Sequence, residues 1–250
     1  MIEWNILLAV FLAALVCKTL AKWFLSWLNI GHLNRYGAQV PAVFHGEIDQ
    51  GTLSRMRDYT VAGSRFGHLE DFFDEGLVLL LLLTGVFALL ATRVSALDLP
   101  FVLAGNLFWL ILILGRTVLK IPFDLYRTFV IEKKYGFATT TLRLWIADLI
   151  KSTVISLILI CILLSVLLFL LQRQPLTWWL WVWIAFSLFQ LLLSWLYPVL
   201  IAPIFNKYVP IQDEVLRDRI IGLIEQAGIR AKGVFQVDAC KRSRHTNAYF

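Results

Sequence analysis

Five long apolar segments constrain this chain more than any other feature. A helix needs about 20 mostly apolar residues to cross the hydrocarbon core of a bilayer. Apolar residues make up 59% of the chain, above the 45–50% or so of soluble domains. We therefore predict an all-α integral membrane protein with about five transmembrane helices. The predicted spans are residues 4–28, 72–92, 99–119, 146–171 and 178–197.

The basic residues of the loops predict an orientation. They are concentrated in segments 29–71, 120–145 and 198–250, whereas the two intervening turns carry one each, Arg93 and Arg173. Because cytoplasmic loops are enriched in Lys and Arg, the N-terminus is predicted outside and the C-terminus in the cytoplasm. This topology explains much of the net charge of +6. With no aromatic–basic recognition module in the sequence, we predict no nucleic-acid partner.

The segment after the last span predicts a small α+β unit that is incomplete. Asp213 is placed to cap a helix that closes near Gly228. The stretch GVFQVDAC, residues 233–240, then predicts a short strand because it is rich in Val and Phe. One helix and one strand cannot bury a core. Loops of the membrane region, another chain or further sequence must complete the unit.

Charged residues between the third and fourth spans have two interpretations. We predict a helix that Pro122 opens and Gly136 closes, and a second candidate helix at 53–62 in the preceding cytoplasmic loop. Asp124 and Arg127 are three residues apart and can pair on one helix face, as can Asp148 with Lys151 at the start of the fourth span. The charges then form either a solvated juxtamembrane helix or the wall of a polar cavity.

The sequence contains no complete catalytic motif. None of the histidines, His32, His45, His68 and His245, belongs to an HExxH pair, the arrangement that places two zinc-binding imidazoles on one helix face. The first three fall in the loop predicted at 29–71 and are interpreted as loop residues. Asp238, Cys240 and His245 lie close together, but a structural zinc site usually needs four ligands. We therefore predict no metal site in this chain.

Four motifs carry a resemblance to a known family. They are PFDLYRTFVIEKKYGF, TTTLRLWIADLIK, LYPVLIAPIFNKYVPI and GVFQVDACKRSRHTNAYF, in this order. Together they resemble the CAAX prenyl protease 1 family of integral-membrane zinc metalloendopeptidases. The resemblance is clearest from Leu119 onward, and the preceding residues agree mainly in their pattern of spans.

The resemblance implies a fold and an activity. Members are multi-span helical barrels around a water-filled chamber, with a zinc site at the cytoplasmic end that cleaves peptides. Substrates include prenylated CAAX peptides in eukaryotes, and bacterial relatives suggest quality control of membrane proteins. The zinc ligands, two His of HExxH and a later Glu, follow the NAYF motif that ends this chain. The resemblance thus divides the chain into an N-terminal membrane domain, residues 1–200, and the start of a cytoplasmic peptidase domain, residues 201–250, truncated before the zinc motif.

Because this sequence lacks the HExxH motif and the later Glu of the family, we predict that the chain binds no zinc and is inactive alone. A partner would then be the missing catalytic half, besides the lipid bilayer and a peptide or prenylated substrate in the chamber. The alternative is a non-catalytic membrane scaffold or peptide-binding protein derived from the family.

The resemblance also suggests residues near the active centre, although no catalytic residue is expected in this chain. Asn247 and His245 match the segment that leads into the active centre, where they would contact substrate or the frame of the site. Both are equally consistent with shaping a turn. Further candidates line or brace the chamber: Arg127, Lys134, Asp148 and Lys151.

Overall fold

The structure, a computed structural model, describes residues 5–37, 39–40, 49–228 and 233–245. Most of these residues are helical, and four helical segments are long and apolar enough to cross a membrane. Two further helices, which meet at a bend, are together long and apolar enough to be a fifth span. The helices are α1 (Ile6–Tyr36), α2 (Gln50–Leu83), α3 (Val86–Ser95), α4 (Phe101–Tyr126), α5 (Leu142–Arg173), α6 (Trp178–Leu196), α7 (Ala202–Phe205) and α8 (Glu214–Gln226). The predicted class, about five spans with a small helix–strand tail, is confirmed.

The second span differs from the continuous helix that hydropathy predicts at 72–92. Helices α2 and α3 meet at an angle of 62°. Gly85 lies between them with φ +75°, a left-handed conformation that glycine adopts without steric cost. The helix predicted at 53–62 is the N-terminal part of α2, which starts after its capping residue Asp49. The second span therefore begins as one long helix and breaks near its far end.

The sequence predicts that Pro122 opens a helix. In the structure Pro122 instead lies inside α4. A proline in a helix interior removes a backbone hydrogen bond, and membrane helices tolerate this through local π-helical adjustments. The chain does adopt a π-helix from Arg127 to Glu132. The helix ends at Gly136, whose φ of +82° confirms the predicted stop.

The described chain divides into two compact units. One comprises Met1–Pro100 with Leu107–Gly136, and the other comprises Phe101–Asn106 with Phe137–Phe250. In the first unit α2 packs against both α1 and the π-helix, and in the second α5 packs against α6. Many large apolar side chains on these helices are exposed, as expected of surfaces that face lipid.

A glycine lets two helices approach closely in the second unit. A Cβ atom added to Gly105 would lie 2.5 Å from Cδ1 of Leu168, which is buried. Beside it the Asn106 side chain donates hydrogen bonds to the Val102 carbonyl and to Oγ of Ser165 (2.9 Å). Small residues and polar bonds of this kind stabilise helix pairs in membranes, where lipid removes the hydrophobic driving force.

We expect Gly105→Ala to destabilise this helix pair by about 1–3 kcal/mol, because the added methyl group overpacks the contact. Adding Leu168→Ala should remove most of this penalty. The measurement is a double-mutant cycle on thermal unfolding in detergent. Gly115→Ala is the matched control, since a Cβ there meets nothing within 4 Å. Equal effects of the two glycine substitutions would contradict the packing argument.

The tail contains a second strand that its sequence does not predict. Asp213 accepts a hydrogen bond from the Leu216 amide and starts α8, confirming the predicted cap. The predicted strand, β2 (Phe235–Val237), pairs antiparallel with β1 (Tyr208–Pro210). An isolated bridge between Ala138 and Ser243 adds the segment that precedes α5. The strand that pairs with β2 and the bridge to Ser243 thus both come from this chain.

Candidate functional site

Arg242 joins three segments of the second unit. Its guanidinium group forms a bidentate ion pair with the Asp148 carboxylate near the start of α5, with Nη2 2.8 Å from Oδ1. Its Nη1 atom donates to Oδ1 of Asn206, just after α7, at 2.8 Å. The ion-paired side chains are only about one-fifth exposed. We call Arg242, Asp148 and Asn206 the arginine clasp. It fixes the segment after β2 to the end of a membrane helix.

Asp238 ties the same segment to β1. One carboxylate oxygen accepts the Lys207 amide at 2.7 Å, and the other pairs with Nζ of Lys241 at 2.7 Å. The Asp238 amide in turn donates to the Lys207 carbonyl. The Lys241 ammonium group, together with the Lys207 amide, lowers the pKa of Asp238. The carboxylate therefore acts in its charged form.

The residues before α5 pair with the end of the described chain. The amide of Thr139 donates to the carbonyl of Arg242, and that of Arg244 donates to the carbonyl of Phe137. The Thr139 hydroxyl donates to the Cys240 carbonyl at 2.6 Å. His245 stacks on the Phe137 ring, with centroids 4.1 Å apart. Backbone and ring contacts thus hold His245 beside the loop that leads into α5.

The low pKa of Asp238 predicts a pH dependence. The folded-state pKa of Asp238 lies below the ordinary value of an aspartate, so this contribution to stability is present above about pH 4 and is lost as the pH falls through the folded-state pKa. The protection factors of the β1 and β2 amides, which compare observed with intrinsic hydrogen exchange at each pH, should fall over that range. Asp238→Asn should accelerate exchange at neutral pH and flatten this dependence. An unchanged acid profile in the variant would contradict the assignment.

The predicted candidates Arg127 and Lys134 lie in the first unit. Arg127 pairs with Glu70 of α2 rather than with Asp124, and its guanidinium group lies 5.5 Å from the centroid of Phe66. Lys134 is exposed, and its Nζ lies 5.4 Å from the centroid of Tyr135. In the second unit Asp148 pairs with Arg242, and Lys151 donates to a backbone carbonyl, that of Ile204, at 3.2 Å. The structure thus gives three members of the two predicted pairs, Arg127, Asp148 and Lys151, a different partner.

The acidic residues of α2 are not among the predicted site residues, yet they form most of the ion pairs among the described residues of the first unit. Toward α1, Asp71 pairs with Lys22 and Glu75 pairs with Lys18. Toward α4, Asp74 pairs with Arg116 at 2.9 Å. Acidic residues at 70, 71, 74 and 75 recur at helical spacing, a signal that was readable in the sequence. Hydropathy places the start of the second span at residue 72 and the preceding residues in a loop, so it divides these four acidic residues between two segments.

Two of the three histidines predicted as loop residues lie in the part of the chain that the structure describes, and both are helical. His32 lies on α1 and His68 on α2. His68 Nε2 is 2.7 Å from Oγ of Ser26, which is 3.1 Å from Oγ of Ser64. Both helices continue beyond the apolar segments, which is why hydropathy alone placed these residues in a loop. His45 and the candidate Asn247 lie outside the described residues.

The described residues do not fit a zinc ion. Across 5–37, 39–40, 49–228 and 233–245, no three His, Cys, Asp or Glu side chains are grouped so as to hold a metal. Asp238, which the sequence placed near Cys240 and His245, is bonded to Lys207 and Lys241. We therefore derive no metal chemistry from these side chains.

Comparison with known proteins identifies the family. Residues 29–207 match the family described as the CAAX prenyl protease N-terminal region with five membrane helices. The chain belongs to the CAAX prenyl protease 1 family. A homolog from Arabidopsis thaliana is 30% identical over 223 residues, covering 84% of this chain and 51% of the relative. CAAX prenyl protease 1 from Saccharomyces cerevisiae is 28% identical over 222 residues, covering 85% and 49%.

A solved structure of the CAAX prenyl protease 1 type has the same fold. The crystal structure of Ste24p from S. mikatae superposes with a TM-score of 0.85 at 27% identity. The match covers 95% of this chain and 57% of that chain. This chain therefore spans about half the length of the curated relatives above, and it corresponds to their N-terminal membrane region. It is a multi-pass integral membrane protein.

Proposed function

We propose that this chain supplies the membrane domain and the first part of the peptidase domain of a CAAX prenyl protease-like zinc metalloendopeptidase. The observation that carries the proposal is the match of 95% of the chain to 57% of Ste24p. The zinc-binding residues then belong to a further part, in the same or a separate polypeptide. By itself the chain is not expected to hydrolyse peptides, because it has no HExxH motif to activate a metal-bound water.

The contacts of the tail support residues 201–250 as the start of the peptidase domain. The arginine clasp and the Asp238 contacts anchor residues 238–242 to α5 and β1. The segment that follows matches the family motif leading into the active centre. In this proposal His245 and Asn247 lie near the substrate, and the clasp sets the direction in which the chain enters the active centre.

The proposed substrates are prenylated CAAX peptides or, for a quality-control protease, segments of membrane proteins. Both would reach the site through the chamber that the family resemblance implies. Arg127, Lys134, Asp148 and Lys151 remain candidates for its wall or mouth.

A fusion protein tests the proposal. The purified chain is compared with the same chain joined after Phe250 to the part of the S. cerevisiae relative that lies beyond the match. We expect the fusion to cleave a farnesylated CAAX peptide in a chelator-sensitive manner and the chain alone to show no such cleavage. Zinc-dependent cleavage by the chain alone would overturn the proposal. A folded but inactive fusion, with peptide binding by the chain alone, would favour the non-catalytic scaffold.

The proposed orientation places the N-terminus outside and the C-terminus in the cytoplasm. It rests on the distribution of loop Lys and Arg. Single cysteines at 95 and 174 should react with an impermeant maleimide in intact cells, in a background where the native cysteines are serine. Cysteines at 55 and 133 should react only after permeabilisation. External labelling at 55 and 133 would reverse the topology.

A further inference from the structure

A polar pocket lies in the first unit among α1, α2 and the π-helix. Its volume is about 340 Å³, and it is open to the surface. The lining residues are Lys22, Ser26, Ser64, Gly67, His68, Glu70, Asp71 and Arg127.

The charges of this pocket are balanced. Nζ of Lys22 lies 2.5 Å from Oδ2 of Asp71, and Arg127 pairs with Glu70. Two cations and two carboxylates therefore line one cavity. A ligand with net negative charge meets two carboxylates there, and one with net positive charge meets two cations. A zwitterion is the charged ligand that this arrangement favours, since each of its groups can face the opposite sign.

The pocket also offers uncharged hydrogen-bonding groups. The hydroxyls of Ser26 and Ser64 and the His68 ring form one connected cluster. Nδ1 of His68 is buried and has no partner among the described residues. A buried nitrogen without a partner carries a desolvation cost, which a polar ligand that reaches it would offset.

The position of the pocket along the spans indicates where its ligand comes from. Its residues lie within about two helical turns of the predicted end of the first span, start of the second and end of the third. All three boundaries belong to the same predicted membrane face, the level of the lipid headgroups. The Trp23 ring lies 6.3 Å from that of His68, and the exposed Phe24 and Trp27 follow on α1. Trp side chains such as Trp23 and Trp27 are enriched at the membrane interface.

We propose that this pocket binds the headgroup of a zwitterionic phospholipid, specifically of the ethanolamine class. The phosphate would face Lys22, Arg127 and the serine hydroxyls, and the ammonium group would face Glu70 and Asp71. A primary ammonium has three N–H donors, whereas a choline group has none. The pocket therefore distinguishes the two zwitterionic headgroups by hydrogen bonding, and an anionic headgroup lacks the ammonium group that would face Glu70 and Asp71. This inference goes beyond the proposed protease function and does not depend on it.

The test measures which lipids the purified 250-residue chain retains. The chain is reconstituted in nanodiscs with equal dioleoyl phosphatidylethanolamine, phosphatidylcholine and phosphatidylglycerol, released into detergent and analysed by native mass spectrometry. We expect retained phosphatidylethanolamine to exceed phosphatidylcholine by about fivefold, the ratio that one net hydrogen bond gives. Retained lipid that matches the bulk mixture, or a preference for phosphatidylglycerol, would overturn the proposal.

Charge variants separate binding from a merely structural role. Glu70→Gln with Asp71→Asn leaves the pocket with net positive charge, so the preference should switch to phosphatidylglycerol. Asp74→Asn removes an acid from the same helix outside the pocket and should leave the lipid preference unchanged. A double variant that still prefers phosphatidylethanolamine, or a control that loses this preference, contradicts the assignment.

A third variant keeps all four charges and tests the cavity itself. A Cβ at Gly67 approaches only Nη2 of Arg127, at 4.0 Å, so Gly67→Leu should fold and fill the pocket. It should abolish the selective retention. Free phosphoethanolamine at millimolar concentration should not compete, because the lipid is also held by its acyl chains. Competition by the free compound would identify a site for a soluble ligand and overturn the lipid assignment, as would full lipid selectivity in Gly67→Leu.

Discussion

Replacing Arg242 with alanine should release residues 238–245 from α5. The substitution leaves the Asp148 carboxylate, about one-fifth exposed, without its bidentate partner, and it removes the hydrogen bond to Asn206. Breaking a buried ion pair costs roughly 3–5 kcal/mol, and partial exposure reduces the expected loss to about 2–3 kcal/mol. Hydrogen exchange at the β1 and β2 amides of the purified chain measures the change as faster local opening.

Two further variants make this prediction specific. Arg143→Ala removes an exposed arginine at the start of the same helix and should leave exchange unchanged. Exchanging the charges, Asp148→Arg with Arg242→Asp, should recover part of the lost protection because an ion pair can form again. Equal exchange in Arg242→Ala and the unaltered chain would show that the clasp does not hold the tail. If the double exchange gives less protection than either Asp148→Arg or Arg242→Asp alone, the two residues do not act as a pair.

Replacing Arg127 with leucine should destabilise the first unit by about 2–4 kcal/mol, whereas replacing Arg127 and Glu70 together should cost much less. The single variant leaves the Glu70 carboxylate without its ion-pair partner beside a membrane-spanning segment. The Glu70 side chain is only 14% exposed. The double variant removes both charges, so no unpaired carboxylate remains. Thermal unfolding of the four proteins in one detergent gives the coupling energy.

Arg93→Leu is the matched control for this cycle. Arg93 is exposed near the end of α3, so its replacement should shift the unfolding temperature little. A double variant that is less stable than Arg127→Leu would contradict the ion-pair explanation. The cation–π contact with Phe66 is lost in both variants, and it therefore cannot account for the difference between them.

Local signals predicted several features correctly. Asp213 as a helix cap and Gly136 as a helix stop depend on groups a few residues away, so short stretches of sequence suffice to identify them. The same local reasoning is wrong at Pro122. A membrane helix can accommodate a proline through a π-helical segment, and no short sequence pattern predicts that segment. The acids of α2 were readable by their spacing, but the boundary at residue 72 separated them from the apolar run.

Other features required distant residues to meet. Asp148 and Arg242 are 94 positions apart, and Ser26 and His68 are 42 apart. Local periodicity does not contain such separations, so the sequence showed charges in these segments without showing which of them pair.

The sequence by itself determined the membrane class, the approximate spans and the family resemblance, because hydropathy and ordered motifs are properties of contiguous residues. The tertiary structure decided the partners of the charged side chains. Inside or beside a bilayer an unpaired charge is costly, so helix packing brings each of Lys22, Arg127 and Arg242 to a carboxylate on another segment. That packing turned four scattered loop and span residues, Lys22, Glu70, Asp71 and Arg127, into one charge-balanced pocket.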